Sequence, residues 1–307
     1  MAIDLTKMID TNYMDQIRDG LKARFITEGV TASVAEIYPN VKNVVTLNGL
    51  TGGSELIQEG GCGFDPQGTV ALTQKRLEVF PKKINTTICP EELEKTYLST
   101  YMRTNKEVPF EEVFMDKYVN IVKNFNEKYI WIGENDNASG ILYESVNDTA
   151  VVAADTEVDA ATTYVGKINA LMAKAPSELL TAPNGVIFCS FGFYQNYMNE
   201  LRQTNVFMLA NSEYVNGGYR CIIPGTNVQL IATEGLSTPE VTALLDSGEL
   251  LFYTTADNIV IGTDMVEGAW ADAWYSREDR VYKVDLSWKI GATYRWGENV
   301  VRGYALV

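Results

Sequence analysis

The chain has 307 residues, 46% of them hydrophobic and 21% charged, the balance of a soluble globular protein with room for about two domains. Its net charge of −15 opposes a large nucleic-acid contact built on counterion release. The absence of histidine removes Ser–His–Asp and Cys–His nucleophile systems, imidazole acid–base chemistry and most zinc sites. No stretch approaches the ~18 apolar residues of a membrane span, and the start MAIDLTKMIDTNY has no apolar core of a secretory signal. Cys62, Cys89, Cys189 and Cys221 lie far apart without a CxxC and read as reduced thiols of a chain made in a cytosol.

In chain order, DTNYMDQIRDGLKARF comes first, with Met14, Ile17, Leu21 and Phe25 at helical spacing behind the cap candidates Asp10 and Asn12. The stretch from Phe25 to Val41 has no period and reads as an extended arm. Seven glycines between Gly49 and Gly68 then separate the strand-like VVTL (44–47) from TVALTQKRLEVF (69–80). This predicts a long two-stranded excursion. A lone hairpin is marginal in water, so it must lean on something outside its own domain.

Two helices are predicted next. CPEELEKTYLSTYMR has Pro90 in its first turn with Glu91 and Glu92 behind it, and places Leu93, Tyr97 and Tyr101 on one face. PFEEVFMDKYVNIVKNFNEKYIWIG starts at Pro109 and stops at Gly133, a suitable C′ residue. Its apolar stripe is Phe110, Val113, Phe114, Ile121, Val122, Phe125, Tyr129 and Ile132, over a length of roughly 34 Å.

From about 155 to 275 the texture is compact α/β. AATTYVGKINALMAKAP predicts a helix with Tyr164, Val165, Ile168, Leu171, Met172 and Ala175 inward, and FYQNYMNEL one with Phe193, Tyr194, Tyr197, Met198 and Leu201 inward. GVIFCS (185–190), NVQLIA (227–232), LLFYTT (250–255) and NIVIGT (258–263) read as short strands. VYKVDLSWKIGATYRW (281–296) then alternates strictly, apolar at even positions and mostly polar at odd ones. That is one strand of roughly 50 Å, two to three times the usual length, with one packed and one wet face. A long helix, a long strand and two arms around one lobe bury little surface on their own monomer, so their natural partners are other copies of the chain.

Three ordered stretches resemble the major capsid proteins of tailed double-stranded DNA bacteriophages, the Hong Kong 97-like fold. QGTVALTQKRLEVFPKKINTTICPEELEKTY is similar to the returning strand of the family's E-loop and the start of its peripheral domain. EEVFMDKYVNIVKNFNEKYIWIGENDNASGIL is similar to its spine helix and the turn after it. LLFYTTADNIVIG with SREDRVYKVDLSWKIGATYRWGENVVRGY resembles the closing axial-domain strands and the C-terminal strand. The resemblance implies an α+β class and five regions: an N-terminal arm (1–42), an E-loop (43–83), a peripheral domain with the spine helix (84–150), an axial α/β domain (151–277), and a long C-terminal strand returning to the peripheral domain (278–307). It also implies a structural protein, not an enzyme, whose hexamers and pentamers form an icosahedral head. The implied partners are scaffold and portal proteins and packaged DNA contacted non-specifically, with no membrane and no cofactor. The head would be assembled in a bacterial cytoplasm. Two family features find no counterpart: the chain has no room for an N-terminal scaffolding domain of ~100 residues, so a separate scaffold or another assembly route is implied. No lysine or asparagine sits in a matchable crosslinking motif.

Lys75, Arg76, Glu78, Lys82 and Lys83 crowd the end of the arm strand and are the candidate intersubunit contacts. The cations would pair with a neighbour's carboxylates; a solvated edge strand guarded by charge, or a short nucleic-acid patch, are the other readings. ENDNASG (134–140) spaces oxygens somewhat like a calcium loop but lacks the glycine position and distal glutamate, and a turn is the plainer reading. Cys89 precedes a predicted helix start and reads as a buried structural thiol. Trp288, Tyr294 and Trp296 read as core or interface packing. An encapsulin-type nanocompartment shell is the alternative within the fold. An enzyme or ligand domain on 155–275 is the alternative outside it, though that stretch has no phosphate loop, GxGxxG, GxSxG elbow or spaced metal ligands.

Overall fold

The computed structural model describes residues 29–52, 70–89, 110–133, 140–204, 212–215, 218–238, 248–264 and 270–306, with Ile57, Glu59, Gly60, Cys62 and Gly68. The helices predicted around 12–25 and 90–103, most of the glycine-rich tip and all of ENDNASG except Gly140 lie outside them. The first strands are β1 (Glu36–Tyr38), β2 (Val44–Gly52), β3 (Val70–Glu78) and β4 (Phe80–Ile88). Helices α1 (Phe110–Ile132) and α2 (Ile141–Asn147) come next, then β5 (Val152–Ala153) and the short helices α3 (Asp155–Ala160), α4 (Tyr164–Ala173) and α5 (Ser177–Thr181). The lobe continues with β6 (Gly185–Cys189), α6 (Phe191–Gln203), β7 (Ser212–Val215), β8 (Gly218–Ile222), β9 (Gln229–Ala232) and β10 (Gly248–Thr255). The chain closes with β11 (Ile259–Thr263), β12 (Trp270–Ser276), β13 (Val281–Tyr294) and β14 (Val301–Leu306).

β13 explains its own length by its partners. One edge carries β4, paired over Tyr282–Ile290. The other edge carries two strands end to end, β12 opposite Val281–Ser287 and β11 opposite Ile290–Tyr294. β1 adds to β11 in parallel. The even positions Val284, Leu286, Trp288, Ile290, Ala292 and Tyr294 are buried, as the alternation predicts. The wet face is wet only in part: Gly291 and Thr293 are covered as well.

The second sheet runs in the order β5-β14-β10-β6-β9-β8-β7 and is covered on both sides. Val186, Phe188, Leu250 and Phe252 face α1, where Trp131 packs 5.0 Å from Phe188 and 5.5 Å from Phe252 between ring centroids. Ile187, Cys189, Leu251 and Tyr253 face α3, α4 and α6. Burial on both faces is why GVIFC and LLFY are continuous apolar runs. The five residues predicted inward on α6 are all buried, and Ser190 caps that helix by accepting the Phe193 N–H at 3.1 Å. The helix predicted over 160–176 is shorter, because Thr163 caps it at Tyr164 by accepting the Gly166 N–H.

Three expectations need correction. On α1, Val122, Tyr129 and Ile132 are buried, but Ile121 and Phe125 point outward, while Asn126, Glu127 and Trp131 point in. The helix is packed on two sides, so its buried surface is wider than an apolar stripe and includes polar side chains with partners. Residues 29–41 are turns and a strand with Val30, Thr31, Ala32 and Val41 buried, where no period was visible. The C-terminal segment is divided: β13 joins the β4 sheet, but β14 enters the lobe's sheet between β5 and β10. β11 makes the reverse move, from the lobe to β13.

The two exchanges happen at one place, around Asn258, which is fully buried. Its side-chain oxygen accepts the Arg295 and Trp296 N–H groups at 3.1 and 2.9 Å, and its amide donates to Thr254 Oγ1 and the Trp296 carbonyl. Backbone groups freed where the chain twice passes from one sheet to the other are thereby satisfied.

Candidate assembly surface at the root of the hairpin arm

β2 and β3 form the predicted hairpin, in register from Val44↔Glu78 to Gly52↔Val70. Its root is fixed by a small core of Leu47, Leu77 and Val79 against Val41 and Val260. Two glycines make room for it. Gly262 and Gly291 are paired across the β11–β13 ladder. A Cβ on Gly291 would fall 1.8 Å from the Glu78 carbonyl oxygen, and one on Gly262 would fall 2.9 Å from Leu77 and Val79 side-chain atoms. The notch they leave receives the β3–β4 junction and covers the upper part of the wet face of β13.

A polar cage ties the same root to α2. Lys75 Nζ lies 3.4 Å from Glu144 Oε2, 3.4 Å from Asp148 Oδ2 and 3.1 Å from the centroid of the Tyr294 ring. Thr293 donates its hydroxyl to Glu144 at 2.6 Å and Tyr294 donates to Asp148 at 2.8 Å. Burial lowers the Lys75 pKa and raises that of Glu144, against the attraction between them. Burial also acts upward on Asp148, yet the Ala150 N–H, the Tyr294 hydroxyl and Lys75 outweigh it and hold this carboxyl below its usual range. The desolvation of Lys75 and Glu144 costs a good part of what their attraction contributes, so the cage sets geometry more than stability.

At Gly49 the hairpin still touches the body, where a Cβ would meet the Trp296 indole nitrogen at 2.8 Å; further out, the described apolar side chains are exposed. Leu72 is 76% exposed, Val70 49% and Ile57 83%. These are large apolar side chains on an arm with little of its own chain to cover them. Exposed Ile121 and Phe125 on α1 form another apolar surface, edged by Lys82, whose Nζ stands 4.5 Å from the Tyr129 ring centroid.

The five candidate contact residues do not form one strip. The chain passes from β2's partner to β13's partner at Val79, and the residues separate there. Lys75 turns inward into its own chain's cage, Arg76 and Glu78 are exposed on β3, Lys82 lies over the α1 aromatics, and Lys83 is exposed on β4. Cys89 is half-buried, and the helix predicted after it lies outside the described residues. Trp288 and Tyr294 are core residues; Trp288 donates its indole N–H to Asn126 at 3.0 Å. The sequence holds one signal for the cage: Glu144 and Asp148, four apart, place two carboxylates on one helix face. Nothing in the sequence places Lys75 beside them.

Hairpin arm, spine-like helix, two-faced lobe and the β4–β13 ladder together define the Hong Kong 97-like fold, of α+β class. No family model and no curated protein matches the sequence. Solved structures do match over most of their length. The chain is similar to a subunit of the satellite phage P4 procapsid including size determination (Sid) protein, with TM-score 0.57 and 10% identity over 94% of this chain and 98% of that one. It is similar to the capsid of an empty GTA particle, with TM-score 0.56 and 11% identity over 91% and 90%. It is also similar to the holo-SrpI encapsulin of Synechococcus elongatus, with TM-score 0.57 and 9% identity over 89% and 86%.

Proposed function

We propose that this protein is a shell-forming structural subunit, the major capsid protein of a tailed double-stranded DNA bacteriophage. In this reading it assembles as hexamers and pentamers into an icosahedral head in the bacterial cytoplasm. The observation that carries the reading is the hairpin arm, rigidly seated at its root and apolar where it leaves the body, in a fold shared with capsid structures. The regions are then an N-terminal arm (1–42), an E-loop (43–83), a peripheral domain (84–150 with β13) and an axial domain (151–277 with β14). Arg76, Glu78 and Lys83 are the residues left to pair with a neighbour, since Lys75 and Lys82 are engaged within the chain. Scaffold and portal proteins and non-specifically held DNA complete the partners, and no step of catalysis is required. The encapsulin-type shell is the second reading, favoured by a likeness as strong as that to the procapsid.

Light scattering with negative-stain microscopy of the purified protein tests the shell itself. Closed shells, or free hexamers and pentamers, are the expected result. A species that stays monomeric or dimeric when scaffold and portal are co-expressed overturns it. Portal and packaging-motor genes beside this one would favour the capsid over the nanocompartment; a cargo-enzyme gene would reverse that.

A further inference from the structure

The seat of the hairpin arm is built from three elements, and each of them runs on into the lobe. Val260 of β11 and Gly291 of β13 receive the arm's root, while Glu144 and Asp148 at the end of α2 hold Lys75. β11 follows β10 after the turn Ala256–Asn258, α2 reaches β5 across 148–151, and β13 reaches β14 across 295–300. These continuations come together again: β5, β14 and β10 are neighbours in the lobe's sheet, in that order.

The three are pinned to one another where they leave the lobe. The Val152 and Ala154 N–H groups donate to the Val300 and Arg302 carbonyls at 3.0 and 2.8 Å. Thr254 of β10 donates its hydroxyl to the Asn299 carbonyl at 2.8 Å, and Asn258 joins the start of β11 to the segment after β13. Arg302 of β14 reaches back to α2, donating to the Ser145 carbonyl at 2.9 Å, and also to Asp155 at 3.2 Å. Thr254, Asn258 and Val300 are all fully buried, so the crossing is packed and is not the exposed linker on which domains move independently. On the lobe side, a Cβ on Gly303 of β14 would lie 2.7 Å from Val158 of α3 and 2.9 Å from Leu171 of α4.

We propose that β5, β14 and β10 couple the lobe to the arm, so that the seating of the arm's root is conditional on an intact lobe core. Opening the lobe frees β10 and β14. With them go the ends of β11 and β13 against which Leu77 and Val79 pack. Such coupling is reciprocal, so unseating the root loosens the lobe by the same factor as loosening the lobe unseats the root. A change inside the lobe thus reaches the arm without touching it. The coupling is a property of one chain and stands apart from the shell reading.

Hydrogen exchange on the full chain reads both sides at once. The Val79 N–H, bonded to the Asn43 carbonyl at 2.9 Å, reports the root. The amides of β6, in the middle of the lobe's sheet, report the lobe. Leu171 belongs to the lobe's core and not to the root's. Leu171→Ala should lower protection in β6 and at Val79 by the same factor, more than about tenfold, as cutting a buried leucine back to alanine does. Gly291→Ala, at the seat, should likewise lower both together. Loss in β6 with Val79 unchanged in Leu171→Ala, or loss at Val79 with β6 unchanged in Gly291→Ala, would overturn the proposal. Either variant decides it where the other does not fold.

Discussion

Gly262 and Gly291 are small residues whose size is set by what crosses them. In a strand read alone, a glycine weakens pairing and leaves a gap in the packed face. Here the gap is filled by the backbone of the β3–β4 junction, and the 1.8 Å approach at Gly291 involves a carbonyl oxygen that cannot swing aside. Gly291→Ala should therefore destabilise by about 1–3 kcal/mol, as overpacking does, read as a lower urea midpoint. An unchanged midpoint would show that the root is not seated in the notch.

At the scale of elements, the hairpin divides into a half that belongs to its own chain and a half that does not. Leu72 lies in the second, so Leu72→Ser should leave the monomer's stability within about 0.5 kcal/mol, as surface substitutions do. The same change should reduce the assembled mass measured by light scattering; equal loss of monomer stability and assembly would place Leu72 in the core instead. The elements were readable where their own apolar pattern, alternating or continuous, sets their burial. β13, α6 and the buried strands of the lobe are of this kind. They were unreadable where a distant segment decides. TVALTQKRLEVF reads as one strand through Val79, so the change of partner there leaves no mark, and nothing in VRGYAL sets β14 apart as a strand of the lobe. Glu127 looked like one of the polar positions of a helix, and only the threonines 96 and 106 positions away make its burial possible.

At the scale of the molecule, a net charge of −15 must be brought together many times over in any closed assembly. Screening shortens the reach of that repulsion from roughly 30 Å at 0.01 M ionic strength to about 8 Å at 0.15 M. The assembled fraction should therefore rise with salt over this range, by light scattering. A fall would mean that exposed ion pairs, such as those available to Arg76, Glu78 and Lys83, outweigh the general repulsion.

The arm's returning strand passes through Val79 straight into β4, whose nine residues are paired one by one with Tyr282–Ile290. Mechanically this is a clamp. The component of a pull that runs along β4 loads this ladder in shear, so its hydrogen bonds share the load. A strand anchored at right angles would instead be peeled, one bond failing after another. The length of β13 thus sets the force that an arm can carry before the body lets go of it.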